Sequence, residues 1–396
     1  MTRLDHASRL AASWLADADA PAWREADGSW VLVDLSGFTR HTERLASTGA
    51  EGVEVLHQAL TRCFAALLGP STDLGGDVLG FAGDAALVYF DGAGHVARAV
   101  DAASSMSPLL AAVPATLTGG RRLQVSIGVH TAAMTALLAG SGQQCLFLCG
   151  PEMSLLARLQ AAAPAGRVLV SDAVAAMLDA NRRGAATGPG VELVGAAAGN
   201  RSRADTATLP GYPVEVSGRE PSAESSYRLL SPAVRDLIQA DAAVGDHRAV
   251  SVGFVMITGL DALLAAQGPG AIHPMLVEVV DTCVRVGAEL SIDLLDSDVG
   301  VDSVKLLLAA GAPRAVDNDE GRMLLALRRI VDGCTALMPS GVTVRAGTQR
   351  GPVYAGRLGV PGRTTYTVLG DPVNVAARAL TAAAAGDVVA GDGMGV

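Results

Sequence analysis

The sequence predicts an α+β protein made of two βαββαβ repeats, each a sheet with helices packed on it. Three observations predict it. Strand and helix periodicities follow one another in the same order twice along 396 residues. The strand-turn openings VLVDLSGFT and GFVMITGLD begin at Val31 and Gly253. The stretches LQVSIGVHTAAMTALLAG and VTVRAGTQRGPVYAGRLG are parallel in pattern, and each is followed by a helix.

Residues 1–27 read as an amphipathic helix, LDHASRLAASWLADA, and a Pro-Ala connector. The first repeat, 28–216, opens with the strand SWVLVDLSGF. The helix GAEGVEVLHQALTRCFAALL is apolar at helical spacing. The hairpin GGDVLGFAGDAALVYF, a helix near 93–113, the strand RLQVSIGVHTA, a Gly-containing arm and a helix over 150–163 follow. GRVLVSD and GYPVEVS read as closing strands around a Gly/Ala-rich stretch. Residues 217–246 form the linker, polar at first and then helical in SPAVRDLIQA.

The second repeat, 247–396, has the strand AVSVGFVMITGL, the helix HPMLVEVVDTCVRVGAEL and the hairpin VDSVKLLLAAGAP. The helix GRMLLALRRIVDGC, the long strand pair and the helix PVNVAARALTAA complete the order. It stops short of the first repeat's closing strand. The expectation is a C-terminally incomplete second domain, with further C-terminal domains in the native protein.

Composition bounds the function. The length suffices for two domains, each with its own core. A net charge of -10 and the lack of a basic run exclude a nucleic-acid surface. Five cysteines show no zinc spacing, and Cys145 and Cys149 read as buried packing. The odd count and the lack of a signal peptide point to a reducing cytoplasm. No apolar run approaches a membrane span, since 251–267 is interrupted by Asp261.

Chemistry-bearing residues divide between the repeats. Asp34 ends an apolar strand, where an acid is costly unless a cation sits beside it. Asp84 sits in a hairpin turn. Read singly, Asp34 is better read as a cap and Asp84 as a turn residue; read together in these contexts, they point to metal ligands. In the second half, Asn374 and Arg378 lie four apart on one helix face. Met256 stands where the repeat of Asp34 belongs, and Ser154 where the repeat of Asn374 belongs. Reciprocal loss of this kind implies one composite site between the halves, for which a monomer suffices. Lys305 is the one lysine among 30 basic residues. It reads either as a ring-nitrogen donor or as an edge-strand lysine.

Taken in this order and duplicated, these motifs resemble the tandem class III nucleotidyl cyclases. The resemblance is to the soluble, bicarbonate-type adenylyl cyclases and their bacterial multidomain relatives. It implies two ferredoxin-like domains packed as an intramolecular pseudo-heterodimer. It implies conversion of ATP to 3',5'-cyclic AMP and pyrophosphate, with two Mg²⁺ or Mn²⁺ ions on Asp34 and Asp84. Ser36, Gly37 and Phe38 would cradle phosphates at a helix N-terminus. Asn374 would orient the ribose, and Arg378 would neutralise charge on the α-phosphate. Lys305 and Thr367 would read the purine edge. The family's lysine before FxGD is Gly80 here, which argues against bicarbonate activation. Two alternatives stay open: a guanylyl cyclase, and a catalytically weak or inactive pseudo-cyclase serving as the regulatory head of a larger signalling protein.

Overall fold

The computed structural model describes residues 7–17, 19–36, 50–82, 85–115, 123–195, 226–240, 245–360 and 363–394. A short helix, α1 (Arg9–Leu15), precedes the first sheet. That sheet is built on β1 (Trp23–Ser36), α2 (Ala50–Asp73), β2 (Asp77–Ala82), β3 (Ala85–Phe90), α3 (His95–Ala111) and β4 (Gln124–Ala139). β5 (Cys145–Cys149) turns back along β4 and leads into α4 (Pro151–Ala162). After β6 (Val168–Val170) come α5 (Asp172–Ala176), β7 (Arg183–Thr187) and β8 (Gly190–Leu193). The strand order is β2-β3-β1-β4-β6-β8-β7, with β5 paired to β4.

The linker contains α6 (Pro232–Gln239), whose Ser231 Oγ accepts from the Val234 amide. The second sheet repeats the pattern with β9 (Asp246–Thr258), α7 (Leu260–Gln267), α8 (Pro269–Leu290), β10 (Asp293–Gly300) and β11 (Ser303–Ala310). It continues through α9 (Asp319–Thr335), β12 (Thr343–Val360), β13 (Arg363–Leu369), α10 (Asp371–Ala382) and β14 (Val388–Ala390). Its order is β10-β11-β9-β12-β13, with β14 parallel to β12. The two α+β halves share one strand order, as the sequence predicts.

One difference lies at the start. β1 begins at Trp23, inside the stretch expected as a connector. The cause is the length of β4: its distal half, Ala133 to Leu137, needs a partner for its backbone groups and takes Asp27 to Trp23. α1 is fixed by Asp77, whose carboxylate accepts from the Arg9 and Leu10 amides at 2.9 and 2.8 Å.

Register confirms which residues of the halves correspond. Asp34 pairs with Ser126 and Met256 with Arg345. Gly128 and Gly347 follow two residues later on β4 and β12. Each glycine lets a helix lie directly on its strand. A side-chain carbon at Gly128 would fall 2.7 Å from the Gln160 nitrogen, and one at Gly347 only 2.1 Å from the Leu380 nitrogen. So α4 and α10, which carry Ser154 and Asn374, are docked alike. Gly150 (φ 109°) and Gly370 (φ 154°) lead into them, with Pro151 and Pro372 in their first turns.

The cores are exchanged. Tyr354, Leu358, Val360 and Leu369, from the β12–β13 arm, pack in one cluster with Phe64, Leu67 and Val88 of the first half. Leu137, Ala139, Cys145, Phe147 and Cys149, from the β4–β5 arm, pack with Val255, Val279 and Leu306 of the second. Phe147→Ala is expected to cost about 3–5 kcal/mol, read as a lower denaturant midpoint, although Phe147 lies in the first half by sequence.

All five cysteines are buried and unpaired by disulfides. Burial pushes the Cys63 and Cys149 thiols up to about 12. None is expected to react with a thiol reagent at pH 8 until the chain unfolds, which a native against denatured titration checks. No helix among the described residues is long and apolar enough to cross a membrane.

Candidate active site

A cavity of about 80 Å³ lies where the two sheets meet. Leu32 and Gly80 of the first sheet, Leu148 of its arm, and Asp296, Arg363 and Thr365 of the second half line it. Strand alternation extends these walls outward. Two residues beyond Leu32 on the same face of β1 is Asp34. Two beyond Asp296 on β10 is Asp298, also in the lining. Two beyond Thr365 on β13 is Thr367. Of these three, Asp298 lines the cavity itself, while Asp34 and Thr367 lie one step along their strands from lining residues.

Asp34 is half-buried. Burial pushes its carboxyl above the usual carboxylate range, and the Asp298 charge pushes it further. An acid of the second half is therefore felt by an acid of the first. Asp298 is itself ion-paired to Lys305, its direct cross-strand neighbour. Thr367 is fully buried, and its Oγ1 has no hydrogen-bond partner among the described residues. Asn374 is half-buried on α10. Arg378 is exposed, with its guanidinium 3.9 Å from Asp371. Ser36 ends β1. Gly37, Phe38 and Asp84 lie outside the described residues, as does the expected closing strand GYPVEVS.

Lys305, expected as the base-contacting lysine, lies on β11. Asp34 stands opposite Ala85, and Met256 opposite Lys305. Lys305 is therefore the counterpart of Ala85, because the β10–β11 ladder runs two residue pairs further than β2–β3. The counterpart of Gly80, the position before FxGD, is Asp296. Each is the first paired residue after a bulge, opposite Leu87 and Leu307 respectively. A bulge and a longer hairpin both shift register without altering the apolar pattern, so counting along the sequence misses them.

Asp296, Asp298 and Arg363 are the residues that sequence reasoning missed. The available signal was the i, i+2 spacing of two acids in a strand, which puts both on one face. Arg363 holds the arm in place, donating to the Val78 and Leu79 carbonyls at 2.9 and 3.0 Å. Gln143, at the matching place in the first arm, donates to the Leu294 carbonyl at 2.8 Å. Burial pushes the Asp296 carboxyl up to about 7 against the opposing pull of Arg363. A raised folded-state value means that stability falls as pH rises from the unfolded value to about 7, and stays lower above it. Asp296→Asn is therefore expected to raise the melting temperature at pH 8 and to change it little at pH 4, a difference that melts at both values would show.

The matching place at the other end of the interface is closed by the chain itself. Ser154 Oγ accepts from the Asp302 amide at 2.7 Å. The Asp302 carboxylate accepts from the Asp261 amide at 2.7 Å. α4 thus reaches across to the second half's hairpin turn. Arg158, the repeat of Arg378, is exposed.

No family model matches the chain. An uncharacterized protein of Mycobacterium tuberculosis H37Rv is 31% identical over 141 residues, 34% of this chain and 24% of its own. The chain spans about a quarter of the length of the curated relatives it matches. Among solved structures, a class III adenylyl cyclase-like ATP-binding protein from Pseudomonas aeruginosa superposes with a TM-score of 0.62. It shares 14% identity and covers 94% of this chain and 85% of its own. The guanylyl cyclase Cya2 covers 46% of this chain and 98% of its own at 21% identity, with a TM-score of 0.37. The solved-structure neighbours are class III adenylyl or guanylyl cyclase-like proteins, and the fold is of that type.

Proposed function

We propose that the chain is a nucleotidyl cyclase. It converts a purine nucleoside triphosphate to the 3',5'-cyclic nucleotide and pyrophosphate at one composite site. The observation that carries this reading is the cavity whose walls lead to Asp34 from one half and to Asp298 and Thr367 from the other. The two halves act as domains of an intramolecular pseudo-heterodimer, as in tandem cyclases. The ATP-binding neighbour from Pseudomonas supports a nucleotide ligand here. Cytoplasmic location, further C-terminal domains and competence of a single chain belong to the same proposal.

The acids fit divalent cations. A half-buried Asp34 next to the Asp298 charge is a place where positive charge is favourable. Asp34 and Asp84 would hold Mg²⁺ or Mn²⁺, which when bound lowers the pKa of the ribose hydroxyl and neutralises phosphate charge. The chain's own residues position and stabilise. Ser154 shows what α4 reaches, the opposite half's hairpin turn. Asn374, the counterpart of Ser154 on α10, would orient the ribose. Arg378, one turn on, carries an exposed guanidinium that can close on the α-phosphate as charge develops there. Ser36 to Phe38 would meet the β- and γ-phosphates with backbone N–H groups.

The sequence expectation of ATP rested on Lys305 with Thr367. The ion pair to Asp298 occupies Lys305. The same pair favours a second reading, a nucleotide-binding head with little turnover. Incubation with ATP and GTP in Mn²⁺, with cyclic product and pyrophosphate measured, separates them. Tight binding without cyclic product would establish the second reading and sink the first.

A further inference from the structure

A closed set of hydrogen bonds joins α4 of the first half to the β10–β11 turn and the start of α7 in the second. Ser154 is 1% exposed. Its Oγ accepts from the Asp302 amide at 2.7 Å, and its own hydroxyl donates to the Asp261 carboxylate. The Asp302 carboxylate accepts from the Asp261 amide at 2.7 Å, and the Asp302 carbonyl accepts from the Gly259 amide at 3.1 Å. Asp302 holds φ 51°, a left-handed conformation that Asp tolerates when its short side chain bonds locally, as here. Burial pushes the Asp261 carboxyl above the usual carboxylate range, against the pull of the Ser154 hydroxyl and the Arg158 charge.

The backbones approach closely at the same place. Gly150 leads into α4 at φ 109°, and a side-chain carbon there would fall 2.6 Å from Leu264 Cδ2 of α7. Asp261 lies in the first turn of α7, so the starts of the two helices meet beside the Ser154 hydroxyl. Each donor and acceptor in this set belongs to the chain, so the contact forms without a ligand. A buried hydroxyl that links an amide to a carboxylate is costly to remove, because both groups then lose their partner. The position that carries Asn374 in the second half is used for closure in the first.

At the other end of the interface, a nucleotide at the proposed site would reach Asp34 from one half and Asp298 and Thr367 from the other. Only halves that are shut together offer both. The exchanged arms keep the halves from parting, which leaves their degree of closure to be set by contacts such as this one. A binding-competent form that is populated only in part weakens apparent affinity by that fraction. We infer that Ser154, Asp302 and Asp261 are a latch that holds the halves shut before the nucleotide arrives, and that Ser154 is thereby a positioning residue for the site. The effect on the nucleotide rests on the nucleotidyl cyclase reading; the closure of the halves does not.

The test uses the full chain with spin labels on Met177→Cys and Leu337→Cys, exposed positions in opposite halves. The native cysteines are buried and leave the labels to these two. The parent is expected to give one narrow distance distribution without nucleotide. Ser154→Ala should broaden or shift it. The same variant should bind fluorescent α,β-methylene ATP and GTP analogues in Mn²⁺ about 10-fold more weakly, while turnover at saturating nucleotide stays within about 2-fold. Asp302→Gly suits φ 51° but lacks the carboxylate; it should act in the same direction and serves if Ser154→Ala does not fold. Asp302→Asn keeps the acceptor and should match the parent. Unchanged distances in both Ser154→Ala and Asp302→Gly overturn the latch. Changed distances with unchanged affinity overturn the positioning role and uphold the latch. A parent that binds neither analogue overturns the cyclase reading and the positioning role together, and the distances still decide the latch.

Discussion

Asp34→Ala is expected to lower the cyclisation rate by about 10²-fold or more while leaving the chain folded. The argument joins two properties of one residue. Asp34 is half-buried and feels the Asp298 carboxylate from the opposite half. An acid kept in such a place weakens the empty fold, so its removal should hold or raise the melting temperature. Its use must then lie in binding positive charge. Cyclisation is phosphoryl transfer, and loss of the group that holds the metal removes electrostatic support for the nucleophile and the phosphates together. Product formation at saturating substrate and Mn²⁺, measured beside a thermal melt, checks both halves of the prediction. A variant with full activity would sink the metal assignment. So would a variant that is inactive only because it is unfolded. Asp84→Ala should match Asp34→Ala if the two act jointly.

How much of this was legible in the sequence depends on what kind of information each feature needs. The duplicated strand order was legible because period-two and helical patterns are local. The mapping of Asp34 to Met256 and of Asn374 to Ser154 follows from motif spacing, and the pairing of Ser126 and Arg345 on the neighbouring strands agrees with it. The exact partner of Lys305 was not legible. Its register depends on the length of a hairpin and on a bulge between Leu294 and Asp296, and neither leaves a mark in the apolar pattern. The exchanged cores were hidden for a different reason. Phe147 and Tyr354 announce burial by being large and apolar, but nothing local says that each is buried in the other half. Asp296 and Asp298 were passed over because acids in a strand flanked by glycine resemble turn residues. Their i, i+2 spacing carried the signal that they share a face, and the cavity shows what they line.

The exchanged cores and the divided site lead to the largest expected effect, complete loss of activity on separating the halves. Residues 1–216 and 247–396 expressed apart should each be inactive and poorly folded. The first would lose Tyr354, Leu358, Val360 and Leu369 from its core. The second would lose Leu137, Cys145, Phe147 and their neighbours. Fully burying a large apolar side chain is worth about 1.5–3 kcal/mol, so four together approach the whole stability of a small domain. Co-expressed halves should recover both solubility and cyclisation, because each supplies the other's core and the other's share of the site. A complementary measurement fixes the number of sites. Mixing two full-length variants, Asp34→Ala and Arg378→Ala, should not restore activity, since one chain must carry an intact Asp34 and Arg378 at the same interface. Recovery on mixing would mean that the working site spans two chains, and an active isolated first half would mean that the second contributes nothing essential. Neither outcome is compatible with a site whose acids and whose Asn374–Arg378 helix come from opposite halves of one interlocked fold.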